Sequence, residues 1–139
     1  MGLKLFIRDI RGGGDVEAAI AEGKAAGVGA VLVLGSPFLT TPKIDGQIKD
    51  AAVRRSLPTM VQLPSSARRG NLASYGLDQD AAIERLAHMI DRILKGTELK
   101  EIPIEQPTKF EFVINVKTAK ALGLAIRPSV LARADDLVE

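Results

Sequence analysis

Hydrophobic and polar positions along the chain follow the two periodicities of regular secondary structure. Residues 30–34 form a continuous apolar run that is too short for a helix and lacks polar alternation, which predicts a strand covered on both faces. Residues 79–95 instead place isoleucine, leucine and alanine at three- and four-residue spacing, which predicts an amphipathic helix ended by Gly96. The pattern therefore combines buried strands with surface helices.

The remaining elements are predicted from the same patterns and from their glycine and proline boundaries. Strands are predicted at residues 3–10, near a sheet edge, and at 59–63 and 110–115, with a short extended piece at 72–75. Helices are predicted from Asp15, as N-cap, to Gly27, and at 44–55, 116–122 and 129–134, with a polar loop at 64–71. The inward-facing side chains of the first two helices are predicted to be Val16, Ala19, Ile20 and Ala26, and Ile44, Ile48 and Ala51 or Ala52. This alternation favours a single α/β domain over residues 1–139, a three-layer sandwich with a mostly parallel sheet.

The composition supports one folded domain and excludes several kinds of site. With 139 residues, 46% hydrophobic and 26% charged, the chain is long enough to bury a core and has a globular composition. No apolar run approaches the roughly 20 residues of a membrane helix. A balance of 19 basic and 17 acidic residues gives a net charge of +2, which does not indicate a nucleic-acid partner. Without cysteine and with one histidine, Cys-based and His-rich metal sites are excluded, and no metal or cofactor is expected.

Residues that could carry enzyme chemistry are few. The glycine triplet 12–14 lies between a predicted strand and a predicted helix, as in a dinucleotide-binding loop, but Glu17 stands where the third glycine of that motif belongs. His88 lies on the polar side of its helix, which indicates a solvated surface histidine. No nucleophile elbow surrounds any serine. A small Rossmann-like nucleotide-binding enzyme is therefore an alternative with weak support, and no catalytic residue is assigned.

The order of several segments resembles one known family. Four segments are similar to ABC transporter substrate-binding proteins related to the tryptophan- and tyrosine-binding proteins, and they occur in the same order as in that family. They are LASYG (72–76), IDRILKG (90–96), IEQPTKFEFVINVKTAKALGL (104–124) and PSVLARADDLVE (128–139). The strand at 31–34 with its Ser36-Pro37-Phe38 loop, and the strand introduced by Leu57-Pro58, resemble the same family. The resemblance covers the whole chain, but only the second half of a family member.

The resemblance implies a fold, a role and a location. Family members are two-lobed type I periplasmic binding proteins that close over a small solute and present it to a membrane permease. This chain would be the second lobe, without that lobe's first strand and helix, and residues 72–95 would cross to the first lobe. The family is periplasmic or attached to the cell surface. Since Arg8, Asp9 and Arg11 interrupt the N-terminus, no signal peptide is expected here, and the chain as written would be cytoplasmic.

The resemblance also implies a ligand-binding site. The cleft positions are Ser36, Pro37 and Phe38 after one strand, Ser65 and Ser66 after the next, and Tyr75 and Gly76 at the crossover. Hydroxyl and backbone groups would hydrogen-bond an amino-acid-like zwitterion, and Phe38 or Tyr75 would supply an apolar wall. The sequence departs from the family at 61–71, where VQLPSSARRGN replaces a stretch that usually contains aromatic residues. This departure argues against an aromatic amino acid as the ligand.

Three functional interpretations follow: a solute-binding component of an ABC uptake transporter, the nucleotide-binding enzyme, or a structural fragment that binds no solute.

The absent first strand would lie between residues 3–10 and 30–34, leaving both with unpaired backbone groups. We therefore expect a homodimer or larger assembly. The alternative is that residues 3–10 pair directly with 30–34 and complete a smaller sheet.

Overall fold

The computed structural model of the chain describes residues 2–139, so residue 1 of the predicted domain lies outside it. The helices are α1 (Asp15–Ala25), α2 (Pro42–Arg54), α3 (Pro64–Arg68), α4 (Gln79–Leu94), α5 (Val116–Ala121) and α6 (Pro128–Leu131), with one 3-10 turn at Leu99–Glu101. The strands are β1 (Val31–Leu32), β2 (Thr59–Val61), β3 (Ala73–Leu77), β4 (Phe110–Asn115) and β5 (Asp136–Val138).

The strands form one five-stranded sheet in the order β1-β2-β3-β4-β5. β1 pairs with β2, β2 with β3, and β4 with β5, all in parallel, while β3 and β4 are antiparallel. A mostly parallel sheet with helices on both sides confirms the predicted α/β fold. Because β1, β2 and β3 run in the same direction, their carboxyl ends meet at one edge of the sheet, which we call the carboxyl edge.

The main core lies where α1 and α2 pack together over one face of β1 and β2. Its buried members are Val16, Ile20, Ile44, Ile48, Ala51, Ala52 and Leu57, with Val31 and Val33 packed against them. The inward positions predicted for α2 are confirmed, as are Val16 and Ile20 in α1. Ala26 is exposed, because the chain leaves the helix at Gly27, whose φ is +80°. Fully burying one aliphatic side chain contributes about 1.5–3 kcal/mol to the free energy of folding, before the entropic cost is subtracted. The cluster therefore stabilises the packing of α1 and α2 on β1 and β2.

The apolar run at residues 30–34 is covered on one face only, so the prediction of a strand covered on both faces was wrong. Val31 and Val33 face the helices, whereas Leu32 and Leu34 are 67% and 72% exposed. The strand is also short, although the Val33 amide still donates to the Met60 carbonyl at 2.9 Å. An apolar run does not by itself establish that both faces are covered, because hydrophobic side chains also occur on exposed faces.

Residues 3–10 do not form the predicted strand. Within residues 2–139, β1 pairs only with β2, so neither the edge strand nor the alternative pairing with residues 30–34 is present. Leu3, Leu5 and Ile7 are exposed, and the segment is held by an ion pair from Arg8 to Glu22 and by packing of Ile10 on the core. An alternating pattern forms a strand only where a partner strand supplies its hydrogen bonds.

Two smaller predictions also differ from the structure, and one strand was not predicted. Asp15 is the first residue of α1 rather than its N-cap, and its carboxylate accepts hydrogen bonds from the Arg11 and Gly12 amides at 3.0 Å each. The predicted polar loop at 64–71 contains α3, because Pro64 at its first position favours a helix start. Strand β5 was not predicted, since it is only three residues long.

The predicted helix at 79–95 is confirmed as α4, capped by the Asp78 carboxylate, which accepts from the Ala81 amide at 3.0 Å. Its apolar stripe is not buried, however: Ile83 and Leu86 are 63% and 56% exposed, and no α4 residue is buried. We call the exposed side chains of Ile83, Leu86, Ile90, Ile93 and Leu94 the α4 stripe. His88 is exposed, as predicted. No helix within residues 2–139 is long and apolar enough to cross a membrane.

Candidate functional site

The carboxyl edge collects most of the predicted site residues. Residues 35–41 follow β1, residues 62–63 follow β2, and Tyr75 to Leu77 form the end of β3. The register aligns the strands at this edge, since Leu32 lies beside Met60 and Val61 lies beside Ser74. In open α/β sheets, ligands bind outside the carboxyl ends of the strands, so this edge is the candidate site.

The loop after β1 is held by its own hydrogen bonds. The Ser36 hydroxyl accepts from the Phe38 amide at 3.3 Å, and the Ser36 carbonyl accepts from the Thr40 hydroxyl at 3.0 Å. Pro37 restricts the backbone between them, and the Phe38 side chain is 37% exposed. The loop therefore presents a half-exposed aromatic ring from a fixed backbone.

Aromatic side chains form a second feature at the end of β3. The rings of Tyr75 and Phe110 are stacked, with centroids 5.7 Å apart and planes 17° from parallel. Phe112, opposite Tyr75 in the register, contacts it edge to face at 6.4 Å. Tyr75 is nevertheless 57% exposed. Each such aromatic pair stabilises the ring's position by about 0.5–1.5 kcal/mol, in addition to the contribution of the buried surface area. Tyr75 therefore presents an ordered apolar surface to solvent.

Gln62, which the sequence analysis did not select, lies between two glycines at this edge. A Cβ on Gly76 would overlap the Gln62 backbone carbonyl, and a Cβ on Gly35 would overlap its side-chain Oε1. Gly76 is buried and Gln62 is exposed. The sequence places Gln62 as the first polar residue after a buried strand, but the approach of both glycines is visible only in three dimensions.

Ser65 and Ser66 lie in the first turn of α3. Ser65 is half-buried, whereas Ser66 is buried and its hydroxyl accepts from Arg69 at 3.0 Å. Arg69 also donates to the buried Asp45 carboxylate from Nε at 3.0 Å and from a terminal nitrogen at 2.9 Å, and Asn71 donates to Asp45 at 2.8 Å. The Ser66 hydroxyl is thus engaged in a buried polar network that joins α2 to α3.

Asp78, which follows β3, and Lys109, which precedes β4, form an ion pair at this end of the sheet. Lys109 lies 2.7 Å from the Asp78 carboxylate, and the Asp78 amide donates to the Lys109 carbonyl at 3.1 Å. The hydrogen bond from Lys109 lowers the pKa of Asp78, and the same bond raises the pKa of Lys109. Both groups therefore stay charged near neutral pH, and each compensates the other.

The opposite edge of the sheet carries a groove of about 590 Å³ with a basic lining. Three of its arginines are already paired with carboxylates: Arg54 with Glu17, Arg68 with Glu111 and Asp136, and Arg69 with Asp45. A ligand there would have to compete with these internal ion pairs. Within residues 2–139, no three carboxylate or histidine side chains are grouped to hold a metal ion.

One family model matches nearly the whole chain. Residues 1–138 match the family model described as ABC transporter substrate binding protein. A structure from Vibrio cholerae O1 biovar El Tor, described as a conserved domain protein, is 26% identical, with a TM-score of 0.84 over 98% of this chain. No curated protein matches the sequence.

Two further solved structures share the fold at lower identity. An ABC domain from Streptococcus pneumonia in complex with L-Trp is 22% identical, with a TM-score of 0.84 over 99% of this chain. The ligand-free, open form of a substrate-binding protein with adhesive properties from Clostridium difficile is 17% identical, with a TM-score of 0.70 over 99%. In each of the three, this chain spans 45% of the other chain, somewhat less than half of its length.

Proposed function

The chain belongs to the family of ABC transporter substrate-binding proteins, and on this basis we propose that it is the solute-binding component of an ABC uptake system for a small amino-acid-like ligand. The observation that carries the proposal is the exposed ring of Tyr75, which is stacked on Phe110 in the last part of β3, near the carboxyl edge. The family is one of solute-binding proteins and not of enzymes, which also favours binding over catalysis.

The proposed contacts divide into polar and apolar groups. Ser36 and Ser65 supply hydroxyl or backbone hydrogen bonds, and Pro37 and Gly76 hold the backbone close to the ligand. Phe38 and Tyr75 supply the apolar wall. The Ser66 hydroxyl accepts from Arg69 at 3.0 Å, so its proposed part in the site is to fix the first turn of α3. The other half of the cleft would come from a second lobe, so affinity in this chain alone is expected to be weak.

The proposed partners and location follow from the family. The loaded protein would present its solute to an ABC permease, in the periplasm or at the cell surface. No nucleic-acid partner is proposed, since the net charge is +2 and the arginines of the basic groove are paired with carboxylates of the same chain. The L-Trp bound to the Streptococcus pneumonia relative supports an amino-acid-like ligand without identifying it.

A thermal-shift series separates the functional classes. We expect millimolar L-amino acids to raise the melting temperature, and ATP and NAD to leave it unchanged, because a ligand at a hundred times its dissociation constant adds about 2.7 kcal/mol of stability. A shift with nucleotides alone would favour the enzyme interpretation. No shift with any solute would favour a structural fragment without binding activity.

We also propose that this chain self-associates when it is alone, through the α4 stripe. Exposed contiguous apolar surface of this kind marks an interaction site, and the stripe spans most of a 16-residue helix. Light scattering after size exclusion should give a dimer or larger assembly. Ile90→Glu should shift it toward monomer, whereas His88→Glu on the polar side should not. A monomeric wild-type chain at tens of micromolar would contradict this proposal.

A further inference from the structure

One face of the sheet carries apolar side chains that are largely uncovered at β1, β2 and β3. In the register, Leu32 lies beside Met60, which lies beside Ala73. Tyr75 is two residues beyond Ala73, so it points to the same side of the sheet, and Phe110 stacks on it. α1 and α2 pack on the opposite side. We call the apolar side chains of this uncovered side the open face: Leu32, Leu34, Met60, Tyr75, Phe110 and Phe112.

The α4 stripe is the complementary surface. It runs along one side of a 16-residue helix, and none of residues 79–94 is buried. The other side of the helix is polar, with Glu84, Arg85 and His88 among its residues. An amphipathic helix lying on an apolar sheet face is the layer contact from which α/β domains are built. Residues 2–139 therefore present both sides of such a contact, and each side is exposed.

α4 is held by the segment that returns to β4 and not by the open face of its own chain. The Asp78 carboxylate accepts from the Ala81 amide at 3.0 Å and pairs with Lys109 at 2.7 Å. Further along the helix, Arg85 Nε donates to the Glu105 carboxylate at 3.1 Å. These contacts fix the start of α4 beside the returning segment. Its apolar stripe remains available to another chain.

The two surfaces are large enough for a stable interface. Five side chains of the α4 stripe and four of the open face are exposed. A large apolar side chain that is about half exposed presents roughly 100 Å², so the nine present on the order of 900 Å² per copy. A typical stable interface buries about 800 Å² per partner. If α4 of each copy lies on the open face of the other, the same contact forms twice about a two-fold axis, which closes the assembly at a dimer.

We propose that the open face is the docking surface for α4 of a second copy of this chain, so that each α4 stripe covers β1 to β3 of its partner. This inference rests on the self-association proposed above and names the surface that receives the stripe. Tyr75 belongs both to the open face and to the proposed solute site. Docking of α4 would therefore exclude a solute from the Tyr75 ring.

The test combines two variants that damage opposite sides of the contact. Ile90→Glu places a charge in the α4 stripe, and Leu34→Glu places one in the open face. Light scattering after size exclusion should show a wild-type dimer at tens of micromolar. Each variant alone should have a dimer dissociation constant about a hundredfold higher, because its dimer would bury two unpaired carboxylates. A mixture of the two should associate more tightly than either alone, since one intact stripe meets one intact open face.

Cysteine cross-linking reports the same contact directly, because the chain has no cysteine of its own. Under mild oxidation, Leu86→Cys chains mixed with Leu32→Cys or Leu34→Cys chains should form disulfide-linked heterodimers. Val53 is the matched control position, since it is an exposed apolar residue of α2 outside both surfaces. Val53→Cys should not link to Leu86→Cys, and Val53→Glu should leave the dimer intact. All replaced side chains are exposed, so the circular dichroism spectrum should match that of the wild type.

The outcomes separate this inference from the proposals on which it rests. If Ile90→Glu dissociates the dimer and Leu34→Glu does not, the stripes pack on each other, so the docking surface is wrong and self-association stands. If the mixture associates no better than the single variants and no heterodimer cross-links, the docking surface is also wrong. A wild-type chain that is monomeric at tens of micromolar overturns both. Solute binding is measured separately, and none of these results decides it.

Discussion

Replacing Asp45 with alanine is expected to destabilise the chain by about 3 kcal/mol, near the lower limit for breaking a buried ion pair, because Arg69 is partly exposed. Asp45 is 4% exposed, and its carboxylate accepts three hydrogen bonds, two from Arg69 and one from Asn71. Asn71 is 1% exposed and its Oδ1 is already without a partner. Removing Asp45 would leave the Asn71 amide nitrogen with only a long contact, 3.4 Å, to the Ser66 carbonyl.

Urea unfolding measures this loss as a lower midpoint at an unchanged slope. Asp50→Ala is the matched control, because Asp50 is in the same helix but its side chain is 57% exposed and pairs only with Lys49. That surface pair is worth less than about 1 kcal/mol. Equal midpoints for Asp45→Ala and Asp50→Ala would show that the buried network does not join α2 to α3.

Replacing Gly76 with alanine is the second large effect, a loss of about 2–3 kcal/mol, within the range for overpacking a filled site. The added Cβ would overlap the Gln62 carbonyl oxygen and lie 2.9 Å from its carbonyl carbon. These are backbone atoms of the residue that directly follows β2, so relieving the overlap requires the end of β2 to move away from β3. A flexible side chain would instead move aside at little cost, as expected at Gly35.

Gly46→Ala is the control, and its expected effect on stability has the opposite sign to that of Gly76→Ala. Gly46 lies inside α2 and a Cβ there has nothing within 4 Å, so alanine should stabilise the helix by about 0.5–1 kcal/mol. Thermal unfolding followed by circular dichroism compares both variants with the wild type. A Gly76→Ala variant as stable as the wild type would contradict the close approach of β2 and β3.

Helices with an apolar repeat over several turns were predictable from the sequence. Features that depend on contacts with other elements were not. α2 and α4 each repeat apolar residues over several turns, so the existence of both helices and the inward positions of α2 follow from periodicity alone. The exposure of the α4 stripe does not, because an amphipathic pattern states that a face seeks a partner and not where that partner is. Residues 3–10 failed for the same reason: their pattern fits a strand, but no strand edge within residues 2–139 pairs with them.

The candidate site was predictable in location but not in detail. The family resemblance predicted a site in the loops after the strands. In the structure, Ser36, Phe38 and Tyr75 lie along the carboxyl edge. Whether they bind the solute stays a prediction. Gln62 could not be selected from the sequence, because an exposed glutamine is ordinary until Gly35 and Gly76 are seen on either side of it. The Ser66 hydroxyl accepts from Arg69, which in turn pairs with Asp45, 21 residues before Ser66 in the sequence. This contact is likewise visible only in the structure.

Binding of a small amino acid at the carboxyl edge is tested most directly by an NMR titration of the ¹⁵N-labelled chain with L-leucine and L-tryptophan at millimolar concentration. We predict that at least one of them shifts the backbone amide resonances of Ser36, Phe38, Tyr75 and Gly76, while those of Thr118 and Lys117 at the opposite groove do not shift. Shifts confined to the opposite groove, or no shift with either amino acid, would contradict it.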